Sequence, residues 1–308
     1  MASLREYLVE LGDTGRPLKA TKLLRLSHLT DEQRGEFLDF WPQIEAKRRG
    51  QVVHQLVDLT EDNVDLNFDA IFLACLSDAD PGVRAGAIRG LWEYDQRDLI
   101  EPLITLLRTD GDVDVRAEAA LALGCFVLQW EFGSLRDCYF RQVEQALRRA
   151  IADDGEELEI RARALEAIGA CSLPWVRQAI DEAYRSDSHR LRVSAIHAMG
   201  RNCDLSWLPT LFQELNNGDP EIRYEAALSC GSLAEEVAVP HLAPLIEDED
   251  AEVRAVTIAA LGEIGGREAK TLLLRYLDHP SQSVREAVRE ALSLVDFDED
   301  ALSSGFHQ

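Results

Sequence analysis

The sequence lacks any apolar run long enough to cross a bilayer. Its longest, AIFLACL and LALGCFVL, fall far short of the roughly 20 residues a spanning helix needs. The opening stretch MASLREYLVEL sets acids among its leucines and has no small-residue cleavage site, so it is not expected to be a secretory signal. The cysteines at 75, 125, 138, 171, 203 and 230 form no C-x-x-C pair, and several fall at apolar helix positions where a reduced thiol packs as a small hydrophobe. The histidines at 28, 54, 189, 197, 241, 279 and 307 form no H-x-x-x-H or H-E-x-x-H pair and none joins a cysteine at zinc spacing, so no metal site is expected. There is no G-x-S-x-G, Walker loop or G-x-G-x-x-G, and Gly265–Gly266 reads as a helix-ending pair. His197 and Cys203 are near in sequence, but Cys203 reads as a turn or packing residue rather than a nucleophile. These absences predict a soluble cytoplasmic protein that is not an enzyme, with no catalytic residue, cofactor or metal.

Positive charge is also short. The chain holds 32 basic against 56 acidic residues, a net charge of −24. Affinity for a phosphate backbone comes from clustered Lys and Arg, so a nucleic-acid partner is disfavoured. Residues 1–60 are neutral, with nine bases and nine acids, whereas residues 218–308 carry nineteen acids and seven bases. Such a surface resists self-association, and it can also steer a basic partner. No segment alternates with period two over a useful length, so essentially no strand is expected.

What the sequence has in abundance is one recurring phrase: DADPGVRAGAIRGLW, DGDVDVRAEAALALG, GEELEIRARALEAIG, SDSHRLRVSAIHAMG, NGDPEIRYEAALSCG, DEDAEVRAVTIAALG and HPSQSVREAVREALS. Its anchors are Arg84, Arg116, Arg161, Arg192, Arg223, Arg254 and Arg285, the last five spaced 31 residues apart, and a weaker copy sets Arg49 in the same role. Four residues before the arginine stands Asp80, Asp112, Ser188, Asp219, Asp250 or Ser281, each suited to cap a helix, and Pro81 and Pro220 follow at the first helical position. Apolar residues one before the arginine and three, six and seven after it, as in Val253, Thr257, Ala260 and Leu261, make one buried face. A glycine eight after it (Gly124, Gly169, Gly200, Gly231, Gly262) marks or approaches the helix end. Between phrases lies a second amphipathic helix, such as LIEPLITLLR or AKTLLLRYL.

The D-x-x-[VI]-R-x-x-A-x-x-A-L-G phrase on a roughly 31-residue unit resembles HEAT repeats, particularly the short bacterial type also found in bilin-lyase-like proteins. The resemblance spans about residues 35–295 and implies an all-α, right-handed α-solenoid (a superhelix) of about eight two-helix repeats. It further implies that the arginine ladder ties neighbouring repeats together and that the second helix lines the concave side. Residues 1–60 are then an N-terminal helical cap with the first degenerate repeat, 61–295 the solenoid, and 296–308 an acidic disordered tail.

Solenoid surfaces repeat, so departures from repetition point to function. The step from Arg116 to Arg161 is 45 residues instead of 31. The excess divides between two facing helices, predicting a lengthened hairpin over 113–152 with a turn at 132–134, standing roughly 10 Å beyond its neighbours at 1.5 Å per residue. Its far end is aromatic: Phe126, Trp130, Phe132, Tyr139 and Phe140. Those rings either close the hairpin on itself or present an anchor to a partner. On the face opposite the core, five residues past each arginine, lie His54, Arg89, Leu121, Glu166, His197, Leu228, Ala259 and Glu290, joined by Arg201 and Tyr224. Trp41 leaves the N-terminal cap a possible contact. The expected function is a non-catalytic protein–protein scaffold or adaptor that uses the concave groove and the aromatic hairpin and takes another protein, one with a basic surface being among the options. A bilin-lyase-like or other HEAT-fold enzyme is the alternative, and a DNA-binding HEAT-like protein the third, disfavoured by the net charge. The oligomeric state is not legible.

Overall fold

A computed structural model describes residues 4–63 and 65–305, and among them no strand occurs. The chain divides into two compact units, residues 1–167 and 168–308. In the first, α1 (Leu4–Gly12), α2 (Ala20–Leu23) and α3 (Asp31–Phe40) precede α4 (Ala46–Asp62), which carries Arg49. There follow α5 (Asp69–Cys75), α6 (Pro81–Gly90), α7 (Ile100–Thr109), α8 (Val113–Ala122), α9 (Gly124–Glu131), α10 (Asp137–Ala152) and α11 (Leu158–Ile168), whose last residue opens the second unit. That unit contains α12 (Pro174–Tyr184), α13 (His189–Arg201), α14 (Leu208–Glu214), α15 (Pro220–Leu233), α16 (Val239–Leu242), α17 (Ala251–Ile264), α18 (Gly266–Leu274) and α19 (Gln282–Gly305). The phrase helices stack side by side, α4 on α6 on α8 in one unit and α13 on α15 on α17 on α19 in the other, and all of these but α4 are backed by the helix that precedes them. None of these helices is long and apolar enough to cross a membrane.

The helix starts follow the phrase. The Asp80 side chain accepts from Val83 N at 3.1 Å, Asp219 from Glu221 N at 3.0 Å, and Asp250 from Glu252 N at 2.8 Å. Two residues before each cap a second acceptor tightens the turn: Asp78 takes Asp80 N at 2.9 Å, Asp110 takes Asp112 N at 3.0 Å, and Asp248 takes Asp250 N at 2.9 Å. Ser281 is engaged differently, with its hydroxyl 2.9 Å from that of Ser283.

Those second acceptors also receive the arginines. Arg49 bonds Asp78 through Nε and Nη2 at 2.9 and 2.8 Å, Arg84 bonds Asp110 at 2.8 and 2.7 Å, and Arg223 bonds Asp248 at 2.8 Å through both nitrogens. The remaining nitrogen turns back to a carbonyl six residues earlier in its own repeat: Arg84 to Asp78 O, Arg223 to Asn217 O, Arg254 to Asp248 O and Arg285 to His279 O, at 2.6–2.8 Å. One guanidinium thus closes its own entry turn and, where an aspartate is available, clamps the next. Burial pushes the Asp110 and Asp248 carboxyls up. The arginine hydrogen bonds, helped by the cap amides, outweigh burial and hold both below the ordinary carboxylate range. Arg116 bonds Leu107 O at 2.8 Å and pairs with Glu156, while Arg161 pairs with Asp154 at 3.2 Å. Arg192 meets Asn217 in sequence register where Arg49, Arg84 and Arg223 meet an aspartate, and it lies close enough to Tyr184 to act on it electrostatically.

The glycines eight past the arginine do more than end helices. Gly200, Gly231 and Gly262 lie inside α13, α15 and α17. A Cβ on Gly200 would stand 2.6 Å from Ser229 Cα, one on Gly231 2.9 Å from Ala260 Cα, and one on Gly262 3.0 Å from Ala291 Cα. Each glycine lets its helix touch the backbone of the next, 29 residues on. Gly124 does the same against Ala167, with Cβ to Cα 3.2 Å.

At the N-terminus Trp41 serves the cap and takes no contact role. Its ring is buried and stacked on Phe37 with centroids 4.8 Å apart, and its indole N–H donates to Asp78 Oδ2 at 2.8 Å. It closes the cap and offers no partner surface. Arg48, unremarked beside Arg49, holds the cap in place: its guanidinium bonds Leu11 O, Asp13 O and Arg16 O at 2.8, 3.2 and 2.8 Å. At the other end α19 continues to Gly305, through most of the stretch expected as a disordered tail over 296–308. The side chains from 297 and all of residues 306–308 lie outside the described residues.

Candidate functional site

The 14-residue insertion lengthens both helices of one pair. Residues 113–131 are helical apart from a step at Leu123, and α10 is 16 residues long. The aromatic end mostly closes on itself. Phe126 and Phe140 are buried, which removes them as partner contacts. Residues 126 and 130 lie one helical turn apart on α9, so Trp130 follows Phe126 inward and stacks on Phe140, centroids 3.9 Å apart and 4° from parallel. Its indole N–H donates to Asp137 Oδ1 at 3.0 Å. Tyr139 is half-buried beneath Arg97 and Arg136, at 5.5 and 5.2 Å. Phe132, just past the end of α9, is 82% exposed.

One experiment separates these roles. Phe132→Ser should leave thermal stability within about 0.5 kcal/mol of wild type, as for other exposed positions. Trp130→Ser should lose about 1–2 kcal/mol, because it removes the stack and strands the Asp137 acceptor. Urea melts followed by far-UV circular dichroism read both, and equal losses would show that Phe132 packs as well.

The second candidate surface is the open face of α4, α6, α8 and α11 in the first unit. Two adjoining depressions run across it, about 440 Å³ over α4 and α6 and about 390 Å³ over α6, α8 and α11. Both are bordered by Gly82 and Arg89, so Arg89 stands on the ridge between them. The floor is made of small residues (Gly50, Gly82, Ala85, Gly86, Ala117), which keep side chains low where the helices meet. Gly86 is required there, because a Cβ would come within 2.8 Å of Val53 Cγ1. Charged groups rise along the walls: Arg89 bonds Glu118 at 2.8 Å, and Arg163 bridges Glu159 at 2.9 Å and Glu166 at 3.0 Å. Asp114 adds an exposed carboxylate at the first turn of α8. Lys47, Arg89 and Arg163 face five acids, Asp80, Asp112, Asp114, Glu118 and Glu159, so this face carries a net negative charge.

Of the residues expected on the open face, His54, Arg89, Leu121, Ala259 and Glu290 are exposed, and Leu228 is half-buried. Glu166 is buried, because it turns in toward Arg163 and does not face outward. His197, Arg201 and Tyr224 belong to the second unit and are brought to one stretch of α13 and α15, where His197 Nδ1 lies 3.2 Å from Glu225 Oε2. The aromatic hairpin belongs to the first unit.

One cluster carries no local sequence motif. His189, Asp219 and Glu221 bring ligand atoms within 4.8 Å of one another, with His189 Nε2 2.7 Å from Asp219 Oδ2. The signal is the repeat itself: residues 30 and 32 apart fall in the same register of consecutive helices. These groups could hold a divalent cation only against two disadvantages. They sit at the N-termini of α13 and α15, the positive ends of both helices. Asp219 is also committed, through Oδ1, to capping α15.

A family model described as HEAT repeats matches residues 70–169, 176–250 and 240–304. No curated protein sequence matches the chain significantly. Among solved structures, a chain from the complex of CpcE and CpcF of phycocyanin lyase from Nostoc sp. is similar at 17% identity and a TM-score of 0.53, covering 92% of this chain and 97% of that one. Kap95p, in a structure describing its binding to RanGDP, is similar at 13% identity and a TM-score of 0.49, over 94% of this chain and 45% of that one. At these identities the likeness is one of fold.

Proposed function

Because the chain belongs to the HEAT-repeat family, we propose that it is a non-catalytic scaffold or adaptor that holds a protein partner on the open face of α4, α6, α8 and α11. The observation that carries this reading is the pair of adjoining depressions on that face. Their floor is kept low by glycine and alanine, and their walls are lined with charged side chains that take no part in the core. The net negative charge of the face favours a partner segment bearing lysine or arginine. Absence of catalysis is part of the proposal. It is supported by the thiols of Cys125 and Cys230, which burial pushes up to about 12, far from a nucleophile's range, and that of Cys75, which burial pushes up as well.

The test is capture from extract of the source cell with the full chain and with the double variant Glu118→Lys and Glu159→Lys. Both acids lie in exposed or half-exposed ion pairs, so their reversal should leave the fold intact. Any protein retained by the wild type should be retained at least about tenfold less by the variant, as expected when two wall charges are reversed. Undiminished retention would show that this face is not the one used.

A further inference from the structure

Two aromatic side chains stand in solvent: Phe132, 82% exposed, and Trp92, 58% exposed, the aromatic members of the exposed large hydrophobics among the described residues. A single exposed apolar residue needs no explanation. These two are linked through the fold. Trp92 lies in the turn from α6 to α7, and Phe132 in the next such turn, from α9 to α10. The turns are tied together: Gln129 Nε2 donates to Asp95 O at 2.8 Å, and the Arg97 guanidinium lies over Tyr139.

Both rings are held on firm backbone. After Phe132 the chain reverses at Gly133, φ 73°, and the amides of Ser134 and Leu135 both donate to Gln129 O, at 2.8 and 3.1 Å. On the other turn Tyr94 N donates to Leu91 O at 2.9 Å, and the Tyr94 hydroxyl lies 3.2 Å from both oxygens of Asp98. A partner would therefore meet turns whose backbone is already ordered, with little loop entropy to lose. Around them the charge is one-sided. Glu93, Asp95, Asp98, Glu131 and Asp137 stand in these turns against Arg97 and Arg136, and both arginines lie over the Tyr139 ring.

We infer that the Trp92 and Phe132 turns form one docking site for a basic amphipathic helix of a protein partner. The apolar face of that helix would seat on the two rings, and its flanking lysines or arginines would meet the acidic rim. The inference rests on reading the chain as a protein-binding scaffold, but it uses a different surface from the open face of α4, α6, α8 and α11. An anionic lipid surface, the other common destination of exposed aromatics, is repelled by the same rim.

The probe is a fluorescein-labelled helical peptide of about 14 residues with leucines at i, i+3, i+4 and i+7 and lysines elsewhere. Its binding to the full chain is followed by fluorescence anisotropy at physiological salt. Saturable binding is expected, weakened at least about tenfold by Phe132→Ser and by Trp92→Ser separately, as for hot-spot residues. The double variant should show less than the product of the two losses, since the rings share one ligand. Both side chains are exposed, so unchanged circular dichroism and melting should accompany the loss. A glutamate-for-lysine version of the peptide should not bind. No binding by the wild type, binding that neither substitution weakens, or equal binding of the glutamate peptide would each overturn the inference. So would partition of the chain onto phosphatidylserine vesicles that Phe132→Ser abolishes. The Glu118→Lys, Glu159→Lys variant should bind the peptide normally. If it does not, the peptide has seated on the open face, and the Trp92–Phe132 site falls while the proposed function stands.

Discussion

Replacing Asp78 with alanine should destabilise the first unit by about 3–5 kcal/mol, the range for removing one partner of a buried ion pair. The carboxylate is 3% exposed and receives four hydrogen bonds: two from Arg49, one from the Trp41 indole and one from the Asp80 amide. Alanine would leave a nearly buried guanidinium with Ile44 O as its remaining partner, and an indole N–H with none. The loss should be local, because each repeat touches only its neighbours. Hydrogen exchange should show faster exchange in α1–α6 and unchanged protection in α13–α19. Asp78→Asn keeps the shape and one acceptor but removes the charge, so it should fall between wild type and alanine. A loss below about 1 kcal/mol for alanine would mean that water replaces the carboxylate and that the rung is ornamental.

The second large effect has an unusual sign. Glycine to alanine inside a helix ordinarily gains about 1 kcal/mol from backbone entropy and propensity. At Gly200 it should instead cost about 1–3 kcal/mol, as overpacking does, and valine should cost at least the upper end of that range. The new Cβ would meet Ser229 Cα at 2.6 Å and Ser229 Oγ at 2.7 Å, and backbone cannot swing aside as a side chain can. The control is Gly35→Ala, in the interior of α3, where a Cβ meets nothing within 4 Å. That variant should gain up to about 1 kcal/mol. Chemical denaturation of the two variants beside wild type reads both signs. A stabilised Gly200→Ala would show that α13 and α15 can separate freely, contrary to the packing described.

Much of this fold is written locally. The caps at Asp80, Asp112, Asp219 and Asp250, the prolines after two of them, and the 31-residue arginine spacing each fix a helix start from a few adjacent residues. The insertion was legible too, because it interrupts a count. What escaped depends on residues about one repeat apart. Whether Trp41 serves the cap or a contact is open until Asp78, 37 residues away, accepts its N–H. Arg48 looks like one more charge until it is seen holding carbonyls 32–37 residues back. The aromatics of the hairpin were found as a group but could not be sorted. Trp130 and Phe132 differ by two positions, yet one continues the buried face of α9 and the other falls past its end. The His189 cluster needed the same cross-repeat register, which no H-x-x-x-H search contains.

The close approaches made by the glycines bear on how such a chain can grow. Gly200, Gly231 and Gly262 each find their neighbour 29 residues ahead, whereas Gly124 finds Ala167 43 residues ahead. The added length lies in the α9–α10 hairpin between the two residues of that contact, which is kept in spite of it. What each glycine requires of the next module is only a small side chain, whether Ser229, Ala260, Ala291 or Ala167. A contact that asks so little can be kept when a module is enlarged at one end. The long hairpin is thus an enlargement that leaves the glycine contact beneath it in place.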